Sequence, residues 1–208
     1  MNPYLKILFL FFSLKILIKA YKGVKKEINL SEKIIEKKRI IRDVLFVNGC
    51  SLLHPYRYRV LHQIEQLNAG NLECFELFYL NLNPNIILDF RIIIFYRCPW
   101  TEDVNKAIDL AKSLNKIVLF DIDDLVIGTE YTNLIPYIKS LPVSKKAAYD
   151  KGVIGMGKTL KLCDGAITTT TTLAKELKNY VPEVFINHNV ASEEMFKLSQ
   201  EALEIKLL

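Results

Sequence analysis

From Asp43 onward the chain alternates short apolar runs with stretches whose apolar residues recur at helical spacing. DVLFVN (43–48) is continuous enough for a strand buried on both faces, and it ends at Gly49. Tyr58 to Leu67 then carries apolar side chains three and four apart, which predicts a helix closed by Gly70. ECFELFYL (73–80) alternates as a strand does, NLNPN supplies a turn, and the β-branched run RIIIFYR (91–97) predicts a third strand. Thr101 caps a helical pattern reaching about Leu114, with Glu102 and Asp103 in its first turn, where carboxylates meet the positive end of the helix dipole. KIVLFD (116–121), GAITT (165–169) and EVFIN (183–187) are the remaining predicted strands, with helices over Lys145 to Leu162, capped by Ser144, and over Thr172 to Asn179. Strands separated by helices pair in parallel through right-handed crossovers. The pattern therefore predicts a doubly wound, mostly parallel Rossmann-like α/β sheet over residues 43–190, followed by a helical stretch over 191–208.

The first 42 residues differ. They hold eleven Lys/Arg against three Glu, a net +8, whereas residues 43–208 hold seventeen against twenty Asp/Glu, a net −3. A slightly acidic body lacks the basic face that nucleic-acid binding needs, so no nucleic-acid partner is expected. Within MNPYLKILFLFFSLKILIKAYKGVKKE the longest uncharged run after Lys6 is Ile7 to Leu14, short of the roughly 20 apolar residues of a spanning helix. Lys15 and Lys19 interrupt the apolar core that a signal peptide requires. Two readings remain for this basic, apolar helical appendage: residues 1–26 lie on an anionic membrane surface, or they pack as an apolar helix against protein. Cys50, Cys74, Cys98 and Cys163 are widely spaced without a CxxC pair, which suits a reducing, cytoplasmic setting, on the inner face of the membrane if the first reading holds.

Residues 150–165, DKGVIGMGKTLKLCDG, contain Gly152, Gly157, Lys158 and Thr159 in the spacing of a phosphate-cradling P-loop. A P-loop needs a buried strand before its first glycine. The residues before Gly152 are SKKAAYDK, polar and helix-favouring, and Val153, Ile154, Met156, Leu160 and Leu162 continue as the buried stripe of a helix. A helix is expected here.

Candidate chemistry collects where parallel strands end, the edge at which open α/β sheets bind ligands. VLFDIDDL places Asp121, Asp123 and Asp124 there, crowded enough to repel unless a cation, hydroxyl donors or an arginine compensates. They suit hydroxyl-rich ligands such as sugars. They also match the D-x-D of haloacid-dehalogenase phosphatases, with Asp121 as nucleophile and Asp123 as acid, although Leu125 and the fourth-strand position depart from that pattern. A metal site lacks a distant partner, so none is expected, and a cap of the following turn by Asp123 or Asp124 is the structural alternative. Asn48 and Gly49 end the first strand, Arg57 and Arg59 follow near a helix start, and Arg97 and Trp100 end the third strand. Either arginine of the first loop could meet a phosphate or the DIDD carboxylates. His54, His62 and His188 read as structural.

The order VLFVNGC, PYRYRVLHQIEQLNAG, IIIFYRCPW, KIVLFDIDDLV, LCDGAITTTTTLAKELK and VFINHNV, over about residues 43–200, resembles the N-terminal half of bacterial GT-B glycosyltransferases of the retaining, glycogen-synthase-like superfamily. The resemblance implies two Rossmann-like domains facing across a cleft, the first receiving the acceptor and the second the nucleotide-sugar. It implies that Asn48, Gly49, Arg57, Arg59, Arg97, Asp121, Asp123 and Thr169 line that cleft, that Asn187 to Val190 lead into an interdomain linker, and that the P-loop match lies on a helix. Trp100 and Asp124 join the substrate-binding candidates. The expected function is acceptor-side glycosyl transfer to a glycan, polysaccharide or lipid-linked sugar of the cell envelope. No cofactor is expected in this chain, and the nucleotide-sugar co-substrate is expected in a C-terminal half not contained in it. Glu193 and Glu201 fit the E-x7-E of that half only by spacing. The alternatives are a non-catalytic sugar-binding or interaction module and, further off, the phosphatase.

Overall fold

The structure, a computed structural model, describes residues 41–206; residues 1–40 of the basic N-terminal segment lie outside these, and Arg42 belongs to the first strand. Six parallel strands form one sheet in the order β2-β1-β3-β4-β5-β6: β1 Arg42–Asn48, β2 Cys74–Phe78, β3 Phe90–Tyr96, β4 Ile117–Asp121, β5 Gly165–Thr168 and β6 Glu183–Ile186. With helices on both faces, this is the doubly wound α/β architecture that the periodicity predicts.

Alternation along the strands sorts the core into two layers. Leu45, Val47, Ile93, Phe95, Val118, Phe120 and Ala166 pack on one face beneath α2 (Glu102–Ser113), α3 (Val143–Leu162) and α4 (Thr171–Leu177). Val44, Phe46, Ile94 and Tyr96 face the other way, onto Val60, Ile64 and Leu67 of α1, residues 53–69. Helix α2 forms because Val104, Ala107, Ile108 and Ala111 recur on one face and are buried there, and because Thr101 Oγ1 accepts from the Val104 N–H at 3.1 Å.

The structure departs from the sequence expectations at several element ends. Helix α1 begins at Leu53 rather than near Tyr58, because a π-helical turn, Arg57–Leu61, inserts an extra residue and breaks the apolar spacing. Strand β2 stops at Phe78, because its neighbour β1 offers no residue to pair beyond Asn48. Helix α3 begins at Val143 directly after Pro142, and Ser144 lies inside it rather than capping it.

Helix α3 also accounts for the P-loop spacing. The pattern sits in mid-helix, with no strand before it. A Cβ on Gly157 would come within 2.0 Å of the Ile127 carbonyl oxygen, so this glycine lets the helix press against the chain leaving β4. Thr159 is buried, with Oγ1 donating to Gly155 O at 3.3 Å. Lys158 is exposed, its Nζ 5.3 Å from the Trp100 ring centroid. Ile154, expected in the buried stripe, is exposed; it lies off the line joining Val153 and Leu160.

Candidate functional site

The chain leaves β1 towards one side of the sheet and β3 towards the other, so the loops after these adjacent strands diverge and a crevice opens at their carboxyl ends. It encloses about 700 Å³. Residues 49–52 form one side, Arg97 and Pro99 the floor, and residues 124–126 with Tyr131, Leu134 and Ile135 the other wall; Tyr149, Gly152 and Met156 of α3 close the end. Gly49 makes the floor geometrically possible. Its N–H donates to Tyr96 O at 2.8 Å, and a Cβ there would lie 2.4 Å from both Arg97 O and Cys98 Cα.

Arg97 has φ 42°, the left-handed region that a long side chain enters at a cost. Its N–H donates to Asp121 O at 3.0 Å, and the turn aims the guanidinium back at the DIDD run. Nε donates to Asp123 Oδ1 at 2.8 Å, and Nη2 pairs with Asp123 at 2.7 Å and with Asp124. Burial works against the guanidinium's charge, but Tyr96 and the two aspartates outweigh it and hold Arg97 above its usual range. The trio thus carries a net single negative charge, and the Asp124 side chain, 63% exposed, offers carboxylate oxygen to the cleft. Burial raises the Tyr149 hydroxyl, with Arg97 opposing and Asp124 adding to the shift, so it stays neutral and able to donate.

Asp121 faces the opposite layer. It and Arg59 are both 0% exposed: Arg59 Nε donates to Asp121 Oδ1 at 2.9 Å and Nη2 to Oδ2 at 2.8 Å, and Gln63 Nε2 donates to Oδ2 at 3.0 Å. Burial pushes the Asp121 carboxyl up, and the Arg59 charge, followed by hydrogen bonds from Arg59 and Gln63, pulls it back. The π-helical turn swings Arg59 inward beside Val60. Arg59 Nη1 also donates to Asn187 O at 2.7 Å and Asn189 Oδ1 at 3.2 Å, which secures the chain leaving β6. His62 Nδ1 lies 2.7 Å from Val190 O; since a carbonyl only accepts, this nitrogen carries the proton. Glu65 Oε1 accepts from the Glu193 N–H at the start of α5, Glu193–Lys206.

The three DIDD carboxylates are therefore divided between two arginines. Of the candidates read from the sequence, Gly49, Arg97 and Asp124 line the crevice, and Asp123 adjoins it through Arg97. Asp121 and Arg59 hold each other in the core; a carboxylate with both oxygens engaged and no exposed surface reaches no substrate, which removes the geometry a phosphatase nucleophile needs. Asn48 is buried, its Oδ1 accepting from the Cys50 N–H at 2.8 Å to tighten the turn. Arg57 is exposed on α1, Thr169 is half-buried after β5, and the Trp100 Nε1 donates to Asn105 Oδ1 at 3.4 Å; these three are not among the lining residues. Among the described residues no group of three or more His, Cys, Asp or Glu is placed to hold a metal ion.

Tyr131, Leu134, Ile135 and Tyr149 were not anticipated. Tyr131 is fixed by hydrogen bonds to Glu176 and to the Tyr180 hydroxyl, tying the cleft wall to α4 and the chain following it. A long segment after β4 that remains apolar although it is neither strand nor long helix is the signal that could have found them.

No family model matches the chain, and no curated protein does. Among solved structures there is a distant likeness, at TM-score 0.38 and 11% identity, to a UDP-glucosyltransferase from Polygonum tinctorium capable of glucosylating indoxyl, in complex with 3,4-dichloroaniline. It covers 73% of this chain and 52% of that one, so the chain spans about half the length of that structure. At that TM-score the likeness carries no argument about fold family, residue role or substrate.

Proposed function

We propose that residues 43–190 form the acceptor-binding domain of a GT-B glycosyltransferase and that the crevice between the β1 and β3 loops receives the acceptor. The observation that carries this reading is the mixed lining of the crevice. Asp124 and Tyr149 offer hydrogen-bonding groups, while Leu52, Leu125, Val126, Leu134, Ile135 and Met156 make most of the lining apolar. Such a site fits a hydroxyl-bearing sugar joined to an apolar group, as in a lipid-linked sugar or an aryl glycoside. The ordered sequence markers support the same assignment.

The charge of the site argues for a donor bound elsewhere. Arg97, the cation among the lining residues, is already clamped by two aspartates, so a nucleotide diphosphate would meet net negative charge here. In this reading a second domain binds the nucleotide-sugar and stabilises the departing diphosphate, while Asp124 orients the acceptor hydroxyl.

The test measures binding and transfer separately. Calorimetry should show that neutral glycosides with an apolar aglycone bind and that the corresponding sugar phosphates do not; Asp124→Asn should weaken the glycoside about tenfold, the loss of one charge-assisted hydrogen bond. Transfer from nucleotide-sugars should require mixing with a donor-binding half. Transfer by this chain alone would overturn the two-part reading, and failure to bind any glycoside would overturn the acceptor site.

A further inference from the structure

The sheet has two edges, and they are finished differently. At β2 the exposed Phe75 is covered: the Arg42 guanidinium lies 4.1 Å from its ring centroid, the Phe90 ring makes an edge contact at 6.0 Å, and Glu73 and Glu76 flank it with charge. Charged groups along an edge strand oppose pairing with another chain. The β6 edge has no equivalent. Between Pro182 and Asn187 its one ionisable residue is Glu183, and Phe185 and Ile186 are 52% and 42% exposed. Among the described residues no ring or cation lies against Phe185.

Two backbone hydrogen bonds fix which groups of β6 are free. Ile122 N–H donates to Ile167 O at 3.0 Å and Asn187 N–H to Thr168 O at 2.8 Å, so alternate residues of β5 serve β4 and β6 in turn. By the same alternation Glu183, Phe185 and Asn187 turn their backbone groups to β5. The N–H and C=O of Val184 and Ile186 therefore point outward, where no other backbone group among the described residues meets them. Val184 packs on the layer beneath α2, α3 and α4, so Phe185, the next residue, lies on the opposite face, where it joins no core cluster.

This edge is its own complement. Two copies of β6 laid antiparallel about a two-fold axis at Phe185 set Val184 opposite Ile186 of the second copy, and Ile186 opposite its Val184, in pairs that each exchange two hydrogen bonds. Phe185 then stands beside its own image as a cross-strand aromatic pair, and Glu183 meets the carboxamide of Asn187 rather than a second carboxylate. Neighbouring registers fail. An axis at Val184 opposes Ile186 to Pro182, which has no N–H to give, and an axis at Ile186 carries the pairing past the end of the strand.

We propose that β6 pairs in this antiparallel register with β6 of a second copy of the chain, joining the two sheets into one. This does not rest on the cleft or on its ligand.

Sedimentation of the full chain from about 1 to 200 μM should show a monomer–dimer equilibrium in the micromolar range, since a short strand makes a small interface. Phe185→Asp, which sets two carboxylates against each other, should weaken the dimer at least about tenfold. Half of Phe185 already lies in water, so circular dichroism and the melting temperature of the monomer should not change. A second measurement reads the register itself, in a Cys50→Ser, Cys74→Ser background that leaves only the buried Cys98 and Cys163 among the native cysteines. Phe185→Cys should then close a disulfide between copies under mild oxidation, because facing residues of a non-hydrogen-bonded pair lie about 4.5 Å apart at Cα. Glu183→Cys should not, since its image lies about 13 Å along the strand. A chain that stays monomeric throughout overturns the proposal. So does a dimer that Phe185→Asp leaves intact, or one that cross-links as well through Glu183→Cys as through Phe185→Cys; both assign the association to another surface.

Discussion

Arg59 with Asp121, and Arg97 with Asp123 and Asp124, stand at the same end of the sheet and use the same pair of residue types. The first pair is dry, bidentate and further satisfied by Gln63 and the 187–189 backbone and side chains. The second borders the cleft, leaves one carboxylate largely in solvent and sits on a residue with φ 42°. Identical chemistry thus serves to hold the chain in one place and to present hydrogen-bonding groups in the other, and burial makes the difference. A buried pair has no affinity left for a ligand, because separating it would leave a charge uncompensated in a low dielectric.

The largest effect should come from opening the dry pair. Asp121→Ala strands the Arg59 guanidinium in the core and should cost about 3–5 kcal/mol in urea unfolding, while Arg59→Met combined with Asp121→Leu should recover most of it. A cost below 1 kcal/mol for the single change would erase the distinction between the two pairs. Next is the contact on which the wet site rests: Gly49→Ala drives a methyl group into the Arg97–Cys98 backbone and should cost about 1–3 kcal/mol by the same measurement.

Arg97 itself separates strain from pairing. Both Arg97→Ala and Arg97→Gly remove the ion pairs, but glycine accepts the positive φ, so thermal unfolding should find the glycine variant more stable than the alanine variant by about 1 kcal/mol. Equal stability would mean that the turn relaxes once the aspartates release it. The smallest effect should be Asp124→Asn, an exposed partner, which should change stability by less than about 0.5 kcal/mol while weakening glycoside binding. That contrast is what a site built for a ligand requires.

Much of the fold was legible because strands and helices announce themselves by local periodicity. RIIIFYR is continuous because β3 is buried on both faces, and Thr101 followed by two acids marks the start of α2 wherever that helix packs. The context of the P-loop spacing was equally local: residues favouring a helix precede Gly152, and α3 lies there. The site was legible only as far as the sheet edge. That Gly49, Arg97 and the DIDD run share one end follows from each closing a parallel strand.

The division of labour within that edge was not legible. Successive residues of a strand point to opposite faces, but which face is dry depends on the helix laid over it. Arg59 reaches Asp121 only because a π-helical turn rotates it inward, and the apolar wall comes from a segment after β4 with no strong periodicity of its own. Local pattern and composition sufficed for the parallel α/β architecture, the charge contrast between residues 1–42 and the rest, and the residue types gathered where strands end. Tertiary structure alone decided which arginine each aspartate holds, which glycines admit close backbone contact and which apolar side chains face water, because each depends on neighbours distant in sequence.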